Sequence, residues 1–197
     1  MNNYGLIVKR ILMADDVEKS VRNQIDVLLK IIPEIKDMIG FEHNHPHHHL
    51  DVFEHTMLAL SRAPQDLEIR LVLLLHDIGK PHSYQDEDVR HFRNHALVSS
   101  QISREILERL EFEDDEIEEM CTLIKEHDFY ISEQDIRQDK LLAQKRFQIQ
   151  LCDALAHHPD KLEKRARYLI DINKRLNHGE RLARYHNLLS KFITEKR

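Results

Sequence analysis

The sequence predicts an all-α fold, one helical domain of about seven or eight helices spanning residues 1–197. Only 4 glycines and 5 prolines occur among 197 residues, so the turns that punctuate β-structure are scarce. Apolar residues recur at helical spacing along most of the chain. No stretch of useful length alternates apolar and polar residues as a half-buried strand does.

The N-terminal part of the chain predicts two helices separated by a polar loop. The first spans Asp15 to Ile32, where apolar residues repeat every three or four positions, and it stops before Pro33. A histidine-rich tract, residues 43–49, interrupts the apolar pattern and is predicted to be a loop. The second helix runs from about Val52 to Arg62 and ends at Pro64.

The most apolar segment of the chain predicts a buried central helix. Asp66 is placed to cap its start, and the apolar run 71–75 is bounded by charged residues. Gly79 and Pro81 are typical of a helix end.

The C-terminal half predicts a polar loop over residues 83–93 and then five helices. Prolines, glycines and capping residues bound them. They span Asn94–Leu110, a segment beginning at Asp114 or Asp115, Lys140–His157 ended by Pro159, Lys161–Asn177, and Glu180–Thr194.

Composition restricts the class of protein. Hydrophobic residues make up 41% and charged residues 32%, as in an ordinary folded protein. No apolar run approaches the roughly 20 residues of a membrane span, and Met1–Arg10 lacks a secretory signal, so we expect a cytoplasmic protein. The net charge of −6 argues against a surface devoted to nucleic acid. Cys121 and Cys152 are predicted to be buried free thiols.

Metal-ligand residue types interrupt the apolar pattern in five successive predicted helices. A His-Asp pair that closes the most apolar helix is costly to bury without a partner, and a metal ion accepts imidazole nitrogens and carboxylate oxygens together. Adjacent helical residues project about 100° apart. The two residues of that pair could therefore serve one metal together only near the helix end, or the aspartate could bridge two metals, which fits a site with further histidines. The residues are His55, His76-Asp77, His95, His127 and Asp153.

Four separated segments resemble the HD-domain metal-dependent phosphohydrolases. They are Asp51–Thr56, His76–Pro81, His91–His95 and Asp153–His157. The resemblance covers about residues 41–160, with helical extensions at 1–40 and 161–197, and is strongest to the HD domain attached to bacterial tRNA nucleotidyltransferases. The Gly-Ser segment and paired aspartates of the nucleotidyltransferase head are not found, which argues against nucleotide addition.

The resemblance implies a metal centre and a hydrolytic activity. It implies that His55, His76, Asp77 and Asp153 bind one divalent metal, and that His95 and His127 complete a second site. The family's metals include Fe, Mn, Ni, Co, Zn and Mg, and the ligand set does not choose among them. The substrate implied is a phosphate ester of a nucleotide type, hydrolysed by water that a metal activates.

Catalytic and substrate-binding residues are predicted around the His-Asp pair. Asp77 is the candidate bridging ligand and proton acceptor. Lys80, one turn later, is a candidate catalytic and phosphate-binding cation. A lysine at the C-terminal end of a helix is also stabilised there by the helix dipole, without any role in substrate binding. His49, just before the first ligand helix, is a candidate substrate-binding residue. His157 shares a helical face with Asp153 and suits a structural or a supporting role.

Several alternatives remain open at this stage. His95 and His127 lie near predicted helix ends, where histidine is also stable without a metal. A dinucleoside polyphosphate is an alternative substrate, and a (p)ppGpp hydrolase is disfavoured because its Glu-Asp segment is not found. A non-catalytic metal- or RNA-binding module is the rival function, with Lys164, Arg165 and Arg167 as RNA contacts. No membrane partner is expected, and the sequence does not indicate an oligomeric state.

Overall fold

The computed structural model describes residues 1–42, 50–85 and 91–176. These ranges contain no β-strand, only isolated bridges of Glu42 with Asp51 and of Gln85 with His91, so the all-α prediction is confirmed. Two short 3-10 helices, Pro33–Met38 and Lys80–His82, accompany ten α-helices. The α-helices are α1 (Asn3–Leu12), α2 (Val17–Asn23), α3 (Ile25–Ile31), α4 (Val52–Leu60), α5 (Leu67–Leu75), α6 (His95–Arg109), α7 (Asp114–Lys125), α8 (Glu133–Gln138), α9 (Lys140–Ala156) and α10 (Pro159–Leu176).

The prediction of seven or eight helices is too low, for two reasons. The expected helix over 15–32 is two helices, because the backbone leaves helical geometry at Gln24. Two further helices, α1 and the six-residue α8, were not predicted. Pro159 begins α10 instead of separating two helices by a loop, since the first turn of a helix needs no proline N–H. The predicted helix 180–194 lies outside the described residues.

Two predicted helix starts are corrected in detail. Asn94 precedes α6 but its side chain makes no capping hydrogen bond, and its backbone lies in the left-handed region at φ 63°. Glu113, and not Asp114 or Asp115, caps α7 through a capping box with Glu116. Each of these starts therefore lies within one or two residues of its predicted position.

Aspartate caps fix the starts of the helices that carry the site. Asp51 accepts a hydrogen bond from the Glu54 N–H at 2.7 Å and so caps α4. The predicted cap Asp66 accepts one from the Ile69 N–H at 3.0 Å and starts α5. Because each cap defines the first residue of its helix, it also sets which face later side chains occupy.

The hydrophobic core has two parts, which meet at α9. The main part involves α1 to α7 and one face of α9, including Ile149 and Cys152. The smaller part lies between α9 and α10 and includes Phe147 and Leu151. Residues 69–75 of α5 are all buried, so the predicted central helix is confirmed.

Both cysteines are free and buried, as predicted. Burial raises the pKa of Cys121 and, with help from the neighbouring Asp153, raises that of Cys152 to about 12. Within the described ranges, no helix combines the length and the apolar character that a membrane crossing requires.

Candidate metal centre

Four ligand-type residues meet between α4, the end of α5 and α9; we call them the inner half-site. They are His55, His76, Asp77 and Asp153, each at most 4% exposed. Nε2 of His55 lies 2.9 Å from Oδ1 of Asp153 and 3.7 Å from Oδ2 of Asp77. Nε2 of His76 lies 3.3 Å from the same oxygen of Asp77 and 3.7 Å from Oδ1 of Asp153. Four potential metal-ligand side chains, two from within helices and two from the turn after α5, therefore converge on one point.

Asp77 also belongs to a second group, the outer half-site, with His95, His127 and Asp128. Its Oδ1 lies 3.4 Å from Nε2 of His95 and 3.8 Å from Nε2 of His127. Oδ2 of Asp128 lies 3.3 Å and 3.7 Å from the same two nitrogens. One carboxylate thus turns one oxygen to each half-site, as a bridging ligand does.

Three histidines are oriented by their backbone. His76, His95 and His127 each place Nδ1 within 2.7 to 2.9 Å of the carbonyl oxygen three residues earlier. In a neutral imidazole this contact fixes the tautomer, because only a protonated Nδ1 can donate to a carbonyl, and the Nε2 lone pair then faces Asp77. Metal-ligating histidines are commonly held in this way.

Several polar atoms of the cluster lack a partner that would justify their burial. Neither Nε2 of His76 nor Oδ1 of Asp77 makes a hydrogen bond within the described part of the chain. The Nε2 atoms of His95 and His127 face each other at 3.3 Å, although neither carries a proton in the tautomer just described. Buried lone pairs in this arrangement repel one another, and a cation between them removes the penalty.

The spacing of these atoms fits divalent metal ions. Two ligand atoms bound at about 2.1 Å and separated by tetrahedral or octahedral angles lie about 3.0 to 3.4 Å apart. The nitrogen–oxygen and nitrogen–nitrogen distances in both half-sites run from 2.9 to 3.8 Å. Imidazole with carboxylate suits Fe, Mn, Ni, Co and Zn, and Mg less well.

The electrostatics of the centre also favour cations. Burial opposes charge on His76, but Asp77 and Asp153 outweigh it and raise the pKa of His76 to about 10. Burial likewise opposes charge on both carboxyls, yet their cationic neighbours hold the pKa of each well below its usual range. Burial, Lys80 and His127 lower the pKa of His95 to about 4, so His95 is neutral and ready to bind a metal.

The other predicted site residues have different positions. Lys80 is buried, and its Nζ donates to Oδ2 of Asp77 at 2.7 Å while lying 5.5 Å from the ring centroid of Phe92. His157 contacts the inner half-site: its ring centroid lies 5.0 Å from that of His55, and its Nδ1 donates to the backbone oxygen of Asp153 at 2.9 Å. The predicted substrate-binding residue His49 lies outside the described residues.

Asp128 is the member of the centre that sequence reasoning missed. Partial desolvation and the carboxylates of Asp153 and Asp77 raise the pKa of its carboxyl, but the neighbouring histidines outweigh them and lower it. A signal existed: residues 127–128 form a second His-Asp pair just after the end of α7, as His76-Asp77 follows α5.

Comparison with known proteins gives a family match and two relatives. The model of the HD domain family matches residues 47–176. The A-adding tRNA nucleotidyltransferase of Deinococcus radiodurans is 32% identical over 123 residues, covering 58% of this chain and 28% of the relative. The CC-adding tRNA nucleotidyltransferase of Thermus thermophilus is 34% identical over 114 residues, covering 53% of this chain and 26% of the relative. The match therefore spans about a quarter of the length of either relative.

Proposed function

We propose that this chain, which belongs to the HD domain family, is a metal-dependent phosphohydrolase that cleaves a phosphate ester of a nucleotide-type substrate. The observation that carries the proposal is the position of Asp77. Its Oδ2 lies 3.3 Å from Nε2 of His76, and its Oδ1 lies 3.4 Å from Nε2 of His95. A carboxylate between two sets of imidazoles suits two divalent ions, with the inner half-site able to hold one ion alone.

The proposed roles follow from the contacts. A bound divalent ion would supply a water of lowered pKa and polarise a phosphoryl oxygen. Asp77, at the centre of the cluster, would orient that water and accept its proton. Lys80 balances the charge of Asp77 at 2.7 Å and is the proposed cation for a phosphate oxygen. His157 holds the helix end that carries Asp153 through its hydrogen bond to the backbone.

The substrate class is supported less directly than the chemistry. Phosphate esters are the substrates that two-metal centres of this ligand type suit. Both relatives are named as nucleotidyltransferases, which favours a nucleotide-type substrate. A dinucleoside polyphosphate is the alternative, since the same two ions would serve its hydrolysis.

A non-catalytic RNA-binding module is the alternative from another class, and the names of the relatives favour it. Residues 160–197 carry 11 Lys or Arg against 5 Asp or Glu. Arg167 is exposed, but Arg165 lies against the rings of Tyr130 and Tyr168, and the side chain of Lys164 lies outside the described residues. The inward position of Arg165 argues for a small phosphorylated partner instead.

The test combines metal analysis with hydrolysis assays. Protein purified without a metal-affinity column is analysed for bound elements, stripped with a chelator and reloaded with each of the six metals. Turnover is then measured on mononucleotides, dinucleoside polyphosphates and nitrophenyl phosphates. We expect two metal equivalents per chain and hydrolysis that depends on them.

A matched control and a contradicting result complete the test. His82, which is 44% exposed and lies outside both half-sites, provides the control variant His82→Ala, which should keep metal content and activity. Bound metal without turnover on any substrate, together with salt-sensitive binding of tRNA, would contradict the hydrolase and support the RNA-binding module.

A further inference from the structure

A cleft adjoins the metal centre on the side of α10. It encloses about 280 Å³, its open mouth included, and is lined by Asp128, Asp153, Ala154, His157, Leu162 and Arg165. Asp153 belongs to the inner half-site and Asp128 to the outer half-site, so the cleft touches both.

Arg165 lines the wall of the cleft that α10 provides. Its guanidinium carbon lies 5.3 Å from the ring centroid of Tyr168 and 6.0 Å from that of Tyr130. Nη2 of Arg165 is buried and makes no hydrogen bond within the described ranges. A buried guanidinium N–H without an acceptor is costly, and the oxygen of an anionic ligand would satisfy it.

The loop between α7 and α8 holds an aromatic ring, that of Tyr130, beside Arg165. The backbone oxygen of Phe129 accepts hydrogen bonds from Gln150 at 2.7 Å and Arg146 at 3.3 Å. The N–H of Ile131 donates to the hydroxyl of Tyr168 at 2.7 Å. The intervening Tyr130 is thus fixed through its backbone neighbours on both sides.

The ring of Tyr130 is nevertheless available to a ligand. The residue is 72% exposed, and its ring meets Tyr168 in an edge-to-face contact with centroids 4.7 Å apart. An exposed aromatic ring that is already held in place binds a planar base at little entropic cost, because stacking needs no further ordering.

We propose that this cleft is the nucleotide subsite of the enzyme: Arg165 binds a phosphate oxygen of the substrate and Tyr130 stacks on its base. The inference rests on the proposed phosphohydrolase function and names the residues that select its substrate. A phosphate beside Asp128 and Asp153 reaches both half-sites, and the planar fork of Arg165 suits two phosphate oxygens. The sugar then lies between Arg165 and Tyr130, whose ring centroid is 6.0 Å from the guanidinium carbon.

Binding measurements test the subsite separately from catalysis. The dissociation constants of a slowly hydrolysed phosphorothioate analogue of AMP and of ribose 5-phosphate are measured by calorimetry on metal-loaded protein. Arg165→Gln should weaken both ligands about tenfold or more, because both carry the phosphate. Tyr130→Ala should weaken only the AMP analogue, also about tenfold, because ribose 5-phosphate has no base to stack.

Conservative variants and matched controls exclude a merely structural effect. Tyr130→Phe keeps the ring and should bind both ligands within twofold of wild type. Arg165→Lys keeps the charge without the fork and should bind both more weakly than wild type but more tightly than Arg165→Gln. The controls Arg175→Gln, on the same helix and 41% exposed at its side chain, and Tyr4→Ala, at 58% exposure, should change neither ligand.

The outcomes separate this inference from the function on which it rests. If Arg165→Gln and Tyr130→Ala bind both ligands within twofold of wild type while wild type hydrolyses nucleotides, the subsite is wrong and the function stands. If wild type binds neither ligand, the subsite is also wrong. Tyr130-dependent binding of the AMP analogue without hydrolysis by any metal-loaded form would support the subsite and contradict the phosphohydrolase.

Discussion

The inner and outer half-sites share Asp77 but are constructed differently. The inner ligands other than Asp77 come from within α4 and α9 and from the residue that follows α5, and each is at most 4% exposed. The outer ligands lie at a helix start and in the turn after α7, where the side chain of His95 is 14% exposed and that of Asp128 is 46% exposed. Core packing fixes the inner set, whereas helix ends and a turn position the outer set.

The two half-sites also differ in protonation. Asp77 and Asp153 raise the pKa of His76 to about 10 despite burial, whereas burial with Lys80 lowers that of His95 to about 4. The inner half-site therefore releases a proton when a metal binds near neutral pH, and His95 has none to release. The two half-sites therefore differ in protonation as well as in exposure to solvent.

The largest expected effect comes from replacing Asp77, the residue that both half-sites share. Asp77→Ala should lose both metals and lower kcat/KM by about a thousandfold or more, since Asp77 faces both groups of histidines. It also removes the buried carboxylate to which Lys80 donates, so the free energy of unfolding should fall by about 3 to 5 kcal/mol. Elemental analysis, kinetics and chemical denaturation measure these effects.

Two further variants complete this test. Asp77→Asn preserves the volume of the side chain and separates loss of charge from loss of packing. Asp171→Ala, at an exposed position on α10, is the control and should behave as wild type. Full activity in Asp77→Ala would refute the mechanism.

The next effect distinguishes the two half-sites directly. His95→Ala should lower the metal content from two equivalents to one and reduce kcat/KM by about a hundredfold, because the inner four ligands remain. His55→Ala should instead release the inner ion. Metal stoichiometry after dialysis measures both, with His82→Ala as the control. Equal metal loss in the two variants would show that the half-sites do not bind independently.

The close contact of Gly79 with the start of α6 allows the outer half-site to be perturbed selectively. A Cβ at Gly79 would lie 2.8 Å from the backbone oxygen of His95 and still closer to the backbone nitrogen of Ser99. Gly79→Ala should therefore push the start of α6 away, weaken the outer metal about tenfold and lower stability by about 1 to 3 kcal/mol. Metal titration checks this, and retention of the inner ion serves as the internal control. Unchanged outer affinity would mean that α6 adjusts without moving His95.

The smallest effect concerns the most exposed ligand. Asp128→Asn should weaken the outer metal by about threefold to tenfold, because water can replace a ligand at this open edge. Asp171→Asn, at a similarly exposed carboxylate, is the matched control. A loss as large as that of His95→Ala would place Asp128 among the essential ligands.

Local patterns in the sequence were sufficient for much of the fold. Apolar spacing predicts α4 to within two residues, and the cap Asp66 predicts the start of α5. The end of α5 is predicted less well, because the helix stops at Leu75, before the His76-Asp77 pair and the predicted stop at Gly79. The helix α8 was missed because it contains no buried residue and so lacks an apolar face. The interruption at Gln24 was missed because the apolar spacing continues across this residue although the helical backbone geometry does not.

The sequence by itself determined the all-α class, the buried central helix and the order of ligand-type residues, because these follow from residue type and local spacing. Only the tertiary structure decided that His55 meets Asp153, 98 positions away, and that Asp77 turns one oxygen to each half-site. It also brought Asp128 into the centre and Arg165 to the cleft beside it. Side-chain direction and long-range packing depend on how helices cross, which the periodicity of any one helix does not contain.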